Sequence, residues 1–392
     1  MYDASKNEFL KNQEILVSGK NIVKVGKNLS APANAEIFDL SNSTVIPGLI
    51  DAHTHFLTLQ KAGEETAIDA MLNSDVARIL RAAKIARQYL EAGITTVRDL
   101  GNSGQYLDVS LRDAIRNCSI DGPSMQVSGP IISPIGGQWV KISDEVVARE
   151  YSVIKNKDEA TAEVMRHIHH DVDIIKITVD NSPNKLLLSE EEIKAITVTA
   201  HAYGLKVTAH ATSDQSVRSA IYAGVDGIEH GYSIADSTLD LMVKRNVYLV
   251  PTDVSLDGAF RIVESMGRKP SKDELMQYPV SPWQNRLKRA YDKGVVIVSG
   301  SDKYLELNEP YGEIAKDVLV AYFETKIPVK DVIRFATYNA SIALGQKDRI
   351  GVLKEGAKAD IVAFDGDLES DFKTVLRRTN LVMHEGKIYV RK

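Results

Sequence analysis

Short runs rich in β-branched residues alternate with longer helical patterns from residue 44 onward, and this alternation restricts the fold more than any other feature. Strand runs separated by helices are typical of βα units around a parallel sheet. Eight strands within about 290 residues match a (β/α)8 TIM-type barrel, because open doubly wound sheets more commonly have five to seven strands. The predicted strands are 44–54, 94–100, 124–131, 173–179, 206–211, 227–231, 247–253 and 295–302.

Both ends of the chain carry short strand and turn patterns without a long helix. Residues 1–43 and 344–392 contain the hairpin signals Ser-Gly-Lys and Glu-Gly-Lys between apolar runs. We therefore predict an α/β fold with two parts. A small β-sandwich domain would be formed by both termini, and a barrel of residues 44–343 would be inserted between them.

The charge balance argues against a protein that binds nucleic acid or a membrane surface. Forty-eight Lys and Arg residues face 53 Asp and Glu residues, which gives a formal net charge of −5, and no basic block occurs. The single cysteine, Cys118, cannot form an intrachain disulfide, and neither a signal-peptide pattern nor a long apolar run is present. These features predict a cytoplasmic protein that acts on a small molecule, and they leave assembly into a homo-oligomer open.

His53 and His55 form a candidate metal-binding pair in the first predicted barrel strand. Side chains alternate along a strand, so both imidazoles point to the same side, which is the interior of a barrel. Two neutral ring nitrogens suit Zn, Co, Ni or Fe better than Ca or Mg. The pattern alone is a weak signal, because a lone buried histidine is more often a hydrogen-bonded core residue.

Other side chains able to bind a metal end further predicted strands. His210 ends the fifth strand, His230 the sixth and Asp302 the eighth. The carboxyl ends of barrel strands form the rim at which barrel enzymes build their active sites. Several such residues on one rim favour a metal site over simple packing.

Lys176 is the unusual residue of the fourth predicted strand. Alternation sends it inward with Ile174 and Thr178, although burying an ammonium group is costly. Burial and nearby cations lower the pKa of a lysine, so its amine can become neutral and reactive. Lys176 could pair with Asp302, act as a base or carry a covalent modification, and the structural alternative is a buried Lys–Asp pair.

An ordered set of motifs resembles the amidohydrolase superfamily across almost the whole chain. The set is VIPGLIDAHTH, TTVRDLG, DIIKI, TAHA, GIEHG, SGSD and the terminal GVLKEGAKADIVAFDGD. The resemblance implies that Lys176 is N6-carboxylated by CO2 and that its carbamate bridges two divalent metal ions. It also implies that His53, His55 and Asp302 hold one ion and that His210 and His230 hold the other. Zinc is the expected metal, with Mn, Fe and Co left open.

The resemblance also distinguishes subgroups. Mononuclear deaminases of the superfamily lack the bridging lysine and carry His-x-x-Glu after strand five, whereas this chain has His210-Ala-Thr-Ser213. The nearest subgroup contains prolidase-like dipeptidases, carboxypeptidases and imidazolonepropionase-like proteins. Where many of these relatives have TGGH after strand three, this chain has Ile135-Gly136-Gly137-Gln138, so Gln138 replaces a substrate-contacting histidine.

The mechanism implied by the resemblance uses a metal-bridging hydroxide that attacks a carbonyl group. Asp302 is expected to take the proton of the hydroxide and pass it to the leaving group. Tyr232, two residues after His230, could donate its hydroxyl to a substrate carboxylate or oxyanion, as the corresponding tyrosine of dipeptidase-like relatives implies, although a packed tyrosine is nearly as good an explanation. Arg98 and Asp99, which end strand two, could support the rim as a pair.

The predicted function is hydrolysis of the amide bond of a dipeptide or an N-acyl amino acid. A phosphotriester, a lactone or a cyclic amide remains an alternative substrate, because the metal core would be the same. A non-catalytic scaffold is a further alternative, but such a protein should lack ligands, and all six expected positions are filled. The stretch 254–284, which contains Arg261, Arg268, Lys269 and Trp283, either forms part of a lid or is simply solvated.

Overall fold

The computed structural model describes residues 1–180, 184–271, 273, 275 and 280–392. The chain begins with the short strands β1 Tyr2–Asp3, β2 Glu8–Phe9, β3 Glu14–Ser18, β4 Asn21–Gly26 and β5 Ser43–Pro47. The central strands are β6 Leu49–Thr54, β7 Ile94–Asp99, β8 Ser124–Val127, β9 Ile131–Ser133, β10 Tyr151–Val153, β11 Ile175–Thr178, β12 Val207–Ser213, β13 Gly227–Ser233 and β14 Tyr248–Val250. The last strands are β15 Ile361–Asp365, β16 Thr379–His384 and β17 Lys387–Arg391.

Helices separate most of the central strands, as the alternating pattern predicts. Ser189 and Glu192 form a capping box at the helix that begins at Glu190, because the backbone amide of each residue donates to the side chain of the other. The helices are α1 Ala67–Leu72, α2 Asp75–Glu91, α3 Leu107–Arg116, α4 Asp144–Glu150, α5 Lys157–His169, α6 Glu190–Ala202, α7 Asp214–Ala223, α8 Asp236–Arg245, α9 Leu256–Ser265, α10 Val280–Asp292, α11 Tyr311–Ala315, α12 Asp317–Glu324, α13 Val329–Phe335, α14 Tyr338–Ala343 and α15 Phe372–Val375.

The central strands are parallel to their neighbours. Strands β6–β7–β8 form one hydrogen-bonded group and β10–β9–β11–β12–β13–β14 form the other. The amide of Asp173 donates to Val127 of β8 at 2.8 Å, which connects the two groups directly. At the other side the segment 295–302 lies between them, because the amide of Val298 donates to Leu249 of β14 and the amide of Ala52 of β6 donates to Ser299, both at 2.9 Å. The arrangement is that of a TIM-barrel type fold with mixed α and β content.

The predicted eighth strand, 295–302, is not a regular strand. Within these described residues, a single bridge joins Ile297 to Leu249 of β14. The amide of Ser299 donates to Phe335 at the end of α13, at 3.0 Å, so the ladder of hydrogen bonds is interrupted there. The segment still runs between β14 and β6, and it brings Asp302 to the same end of the fold as His53.

The predicted strand 44–54 is wrong as a single barrel strand, because the chain divides at Gly48. Strand β5 pairs antiparallel with β15, whereas β6 pairs parallel with β7. A Cβ atom at Gly48 would lie 2.0 Å from Oγ1 of Thr95. Glycine therefore allows the chain to pass from one sheet to the other at close range.

Strands from both ends of the chain lie together. A four-stranded antiparallel sheet has the order β17–β16–β15–β5, and β3 pairs with β4 in a hairpin. The assignment of these strands to a separate β-sandwich domain, with boundaries at 43 and 344, stays a prediction. Within the described residues, no helix combines the length and apolar character that a membrane crossing needs.

The inward and outward faces of the central strands differ in chemistry. Outward residues such as Ile175, Ile177 and Ile228 are buried in a large apolar cluster with side chains of the surrounding helices. Polar side chains, among them Lys176 and Glu229, are buried on the inward face. Buried polar groups need partners, so the interior of the fold is where bound ligands or hydrogen-bond networks are expected.

Candidate metal centre

The six predicted ligand residues line one cavity of about 190 Å³ at the carboxyl ends of the strands. They come from five strands or strand-like segments that are far apart in sequence, and the fold brings them together. Their side chains are all buried or nearly so. The residues are His53, His55, Lys176, His210, His230 and Asp302.

His53, His55 and Asp302 lie in direct contact at one side of the cavity. The Nε2 atoms of His53 and His55 are 3.2 Å apart. Oδ1 of Asp302 lies 3.3 Å from Nε2 of His55 and 3.6 Å from Nε2 of His53. Lys176 points at the same group, because its Nζ is 3.4 Å from Nε2 of His53. These four side chains therefore direct nitrogen and oxygen atoms at one small volume.

His210 and His230 form the other side of the cavity. Their ring centroids are 4.5 Å apart, and the ring of His230 is 5.2 Å from that of His53. Oδ2 of Asp302 lies 3.9 Å from Nδ1 of His230, so the Asp302 carboxylate faces both sides. One ligand atom from each of His53, His230 and Asp302 lies within 4.8 Å of the others.

Hydrogen bonds hold the outer ring nitrogens of three histidines. Nδ1 of His53 is 2.7 Å from Glu229, Nδ1 of His55 is 2.9 Å from the carbonyl of Gly101, and Nδ1 of His230 is 2.8 Å from Oγ1 of Thr252. A neutral imidazole has one donor and one acceptor nitrogen. Because a carboxylate and a carbonyl only accept, Nδ1 of His53 and of His55 carries a proton, and a neutral His53 ring therefore keeps its lone pair on Nε2.

Three site residues have left-handed backbone conformations. The φ angles are 69° at His230, 57° at Thr252 and 53° at Asp302. Successive side chains of a regular strand point to opposite faces, yet Glu229 and His230 both reach His53. The left-handed turn at His230 accounts for this departure, and such conformations in residues other than glycine persist only where the surroundings hold them.

Electrostatics keeps most of the histidines neutral. Burial lowers the pKa of His53 and of His230 well below the ordinary value, and it lowers the pKa of His210 to about 4. The pKa of His55 is raised instead, because Asp302 outweighs the opposing effect of burial. Burial acts to raise the pKa of Asp302, but His53, His55 and Lys176 outweigh it and hold that pKa below its ordinary value. Neutral imidazoles and an ionised carboxylate are the forms that bind metals.

The donor set fits divalent transition metals. Imidazole nitrogens and a carboxylate oxygen suit Zn and similar transition metals. The groups that form hydrogen bonds with Nδ1 of the histidines fix the orientation of the rings, as such groups do in metal sites. Burial lowers the pKa of Lys176 to about 8, although Glu229 and Asp302 act to raise it. A lysine with this pKa has a useful neutral fraction near neutral pH, and the neutral amine is the form that can react with CO2.

Gln138 and Tyr232, the two predicted substrate-binding residues, also line the cavity. Nε2 of Gln138 is 3.3 Å from Nδ1 of His210, and the hydroxyl of Tyr151 donates to Oε1 of Gln138 at 3.1 Å. The hydroxyl of Tyr232 is 3.3 Å from Nδ1 of His230. Burial and Asp302 raise the pKa of Tyr232 to about 12, so its hydroxyl stays protonated and can donate.

Sequence reasoning missed the residues that hold the histidines. Glu229 stands inside the quoted GIEHG motif, and Thr252 lies in the predicted strand 247–253, but neither was singled out. The available signal for Glu229 was a glutamate in a strand predicted to be buried. Arg98 and Asp99 were expected to support the rim together. The Nη2 atom of Arg98 donates to Glu229 at 2.8 Å, and Asp99 accepts from the amide of Phe56.

The stretch 254–284 was predicted to be a lid or a solvated segment. Arg261 fits neither alternative, because it pairs with Glu309 at 2.8 Å and with the buried Asp317 at 3.0 Å. Arg268 and Lys269 are exposed. Residues 272, 274 and 276–279 and the side chain of Trp283 lie outside the described residues.

Comparison with known proteins gives one family match over most of the chain. The sequence model of the Amidohydrolase family matches residues 44–389. An imidazolonepropionase of Fusobacterium nucleatum is 24% identical over 415 residues, which cover 97% of this chain and 92% of that protein.

Solved structures of similar proteins superpose over nearly the full length. A Xaa-Pro dipeptidase with bound methionine in its active site is 26% identical, with a TM-score of 0.86 and coverage of 99% of this chain and 97% of that chain. A prolidase complexed with N-methylphosphonate-L-proline is 25% identical, with a TM-score of 0.85 and coverage of 100% and 97%. These similarities support the TIM-barrel type fold that the sequence predicts.

Proposed function

The chain belongs to the amidohydrolase family, within its prolidase-like and imidazolonepropionase-like subgroup, and we propose that it hydrolyses the amide bond of a dipeptide or an N-acyl amino acid. The coarser activity, that of a hydrolase, follows from the family. The substrate class is the proposal. It draws on the solved dipeptidase and prolidase that this chain resembles.

One observation carries the proposal: four imidazole groups, one lysine and one carboxylate line the same cavity. The shared contact is Asp302, whose two oxygens approach His55 at 3.3 Å and His230 at 3.9 Å. This donor set is suited to a pair of divalent ions, for which we propose zinc. His53, His55 and Asp302 would hold one ion, and His210 and His230 the other.

Lys176 would complete the centre as a carbamate. Its neutral Nζ would form a bond to the carbon of CO2 and lose one proton to solvent, which leaves an anion with two oxygen atoms. An unmodified ammonium has donors only and cannot bind a metal. Nζ lies 3.4 Å from Nε2 of His53, so a carbamate formed on it would lie beside the proposed metal ligands.

Divalent ions held there would lower the pKa of a water molecule and polarise the substrate carbonyl. Residues of the chain would transfer the proton and stabilise the developing charge. Asp302 is ionised and faces both sides of the cavity, so its carboxylate can accept a proton from the attacking water and deliver it to the leaving nitrogen. Tyr232 can donate to the carbonyl oxygen as negative charge develops on it.

The size of the cavity favours a compact substrate. Its volume of about 190 Å³ lies below the range of about 300–1,000 Å³ that is typical of small-molecule sites. A dipeptide or a small N-acyl amino acid is of suitable size. A cyclic amide is the second candidate, because the imidazolonepropionase of Fusobacterium nucleatum matches the chain over 97% of its length.

A substrate screen on metal-loaded protein tests the proposed function. The panel consists of dipeptides, N-acyl amino acids, cyclic amides, esters, lactones and phosphotriesters, with metal content measured in parallel. We expect hydrolysis of dipeptides or N-acyl amino acids. Turnover of cyclic amides alone would select the second candidate, and turnover confined to esters, lactones or phosphotriesters would contradict amide hydrolysis.

Replacing Tyr232 with phenylalanine should lower kcat by about 10- to 100-fold, because a hydrogen bond to a charged group contributes about 1.5–3 kcal/mol. The charge on the carbonyl oxygen develops in the transition state, so KM should change less than kcat. Steady-state kinetics of Tyr232→Phe against Tyr222→Phe, an exposed tyrosine on α7, makes the comparison. Equal kcat in both variants would remove Tyr232 from the reaction.

Replacing Gln138 with glutamate should raise KM by about tenfold or more for substrates with a carboxylate, because it replaces a donor by a negative acceptor. Tyr151 donates to Oε1, so the native amide presents its nitrogen to the cavity. The control is Gln138→His, which retains a donor at this position. An unchanged KM in Gln138→Glu, at unchanged metal content, would argue against contact between Gln138 and the substrate.

A further inference from the structure

Glu229 is a fully buried carboxylate on β13, next to the cavity but outside the six predicted ligands. Its Oε2 lies 2.7 Å from Nδ1 of His53. Its Oε1 accepts from Nη2 of Arg98 at 2.8 Å and from Oγ1 of Thr208 at 2.5 Å. Both carboxylate oxygens therefore have protein donors, and these donors come from three other strands.

Arg98 is fixed as firmly as the carboxylate. Its Nε donates to the carbonyl of Ala52 at 2.7 Å, and its Nη1 donates to the hydroxyl of Tyr248 at 2.7 Å. A guanidinium group keeps its proton in proteins. Arg98 and Thr208 both donate to Oε1, so Glu229 serves as a hydrogen-bond acceptor towards its neighbours.

The contact with Glu229 decides which nitrogen of His53 carries the proton. Because the carboxylate only accepts, the proton is on Nδ1 and the lone pair is on Nε2. Nε2 is the atom that faces the cavity, 3.2 Å from Nε2 of His55 and 3.4 Å from Nζ of Lys176. A ring with the opposite proton placement would present an N–H to the cavity, and an N–H cannot bind a metal.

We propose that Glu229, held by Arg98 and Thr208, is a positioning residue that fixes the tautomer of His53 and so sets the affinity of the centre for its divalent ions. This inference rests on the proposed metal-dependent function. It adds that a buried ion pair outside the ligand set controls metal affinity. Partners that orient ligating histidines in this way typically change metal affinity by about 10- to 100-fold when they are replaced.

The substitution Glu229→Gln tests the proposal with almost no change in volume. An amide has one accepting and one donating side. If its oxygen stays with Arg98 and Thr208, its NH2 group faces His53, and the proton of His53 must move to Nε2. In the opposite orientation the NH2 group would face the guanidinium of Arg98. Two donors would then meet without an acceptor, which is unfavourable in a buried site. We therefore expect the tautomer of His53 to change.

A second buried Arg–Glu pair provides a matched control. Glu150 accepts from Nη1 and Nη2 of Arg78 at 2.6 and 3.0 Å, and both side chains are 1% exposed. Neither residue contacts the six predicted ligands through a hydrogen bond or ion pair given for the described residues. Glu150→Gln makes the same chemical change at similar burial, so it should alter stability without altering metal affinity.

Two measurements report on the proposal. Zinc and cobalt dissociation constants, from competition with a chromophoric chelator, should rise about 10- to 100-fold in Glu229→Gln and stay within about twofold of the unsubstituted protein in Glu150→Gln. Long-range nitrogen–proton NMR correlations of metal-free protein should give His53 an Nδ1 proton originally and an Nε2 proton in Glu229→Gln. If Glu229→Gln does not fold, Glu229→Asp keeps the carboxylate and should keep the Nδ1 proton.

The outcomes separate this inference from the proposed function. Unchanged metal affinity in Glu229→Gln would overturn the inference while leaving a metal-dependent hydrolase intact. An Nε2 proton on His53 in the unsubstituted protein, or in Glu229→Asp, would overturn it as well. If the unsubstituted protein binds neither zinc nor cobalt, the proposed function itself fails, and the inference fails with it.

Discussion

Replacing Asp302 with asparagine is expected to lower kcat by about three to four powers of ten, at the upper end of what general acid–base catalysis contributes. The amide cannot accept the proton of the attacking water or return it to the leaving nitrogen. Its oxygen can still bind a metal, so most of the metal content should remain. Steady-state kinetics and elemental analysis of the same Asp302→Asn preparation test both parts.

A buried aspartate outside the cavity serves as the control for Asp302. Asp317 on α12 is 2% exposed and accepts from Oγ of Ser255 at 2.6 Å. Asp317→Asn should lower stability but leave kcat near its original value. If Asp302→Asn retains near-normal kcat with a full complement of metal, Asp302 is not the proton-transfer group.

Replacing Lys176 with alanine should abolish two-ion occupancy and reduce turnover below detection. The carbamate proposed for Lys176 supplies the bridging anion, and alanine removes it without adding another ligand. The remaining histidines and Asp302 should hold at most one ion firmly. Elemental analysis of Lys176→Ala therefore measures the effect independently of any substrate.

The lysine control separates the carbamate from the loss of a buried amine. Lys316 is 3% exposed, and its Nζ donates to the carbonyl of Leu376 at 2.8 Å. It is not among the residues that line the cavity. Lys316→Ala should retain two ions. Metal-free native protein should take up two ions in the presence of bicarbonate and fewer in CO2-free buffer. Two tightly bound ions in Lys176→Ala would contradict the bridging carbamate.

Simple periodicity and the strand ends were sufficient to find the six predicted ligand residues of the cavity. His53 lies on β6 and His55 directly after it, and inward-facing Lys176 interrupts an apolar strand, so their common direction follows from strand geometry. His210 and His230 were found because parallel strands of a barrel end on the same rim. These inferences need only the direction of the chain and the side-chain period.

Periodicity failed where the backbone departs from regular strand geometry. Alternation points Glu229 inward, and the left-handed conformation of His230 lets this next residue face the interior too, which the strand period does not predict. The division of 44–54 at Gly48 depends on the closeness of Thr95, which is distant in sequence. Likewise, the interruption of 295–302 depends on the end of α13.

Hydrogen-bond partners on distant strands could not be predicted from the sequence either. Arg98 and Asp99 were expected to support the rim, but the sequence did not indicate that Arg98 contacts Glu229 and that Asp99 contacts Phe56. Arg98 reaches Glu229, which is 131 positions away, because the strands that carry them approach one another inside the fold. Contacts of this kind depend on how distant strands are arranged in the fold, and a local pattern does not predict them.

Anomalous X-ray diffraction from crystals of the metal-loaded protein tests the central claim most directly. The account predicts two anomalous peaks in the cavity, one among His53, His55 and Asp302 and one at His210 and His230, with continuous density from Nζ of Lys176 to a group between them. A single peak, a peak elsewhere in the protein, or an unmodified Lys176 beside two ions would contradict it.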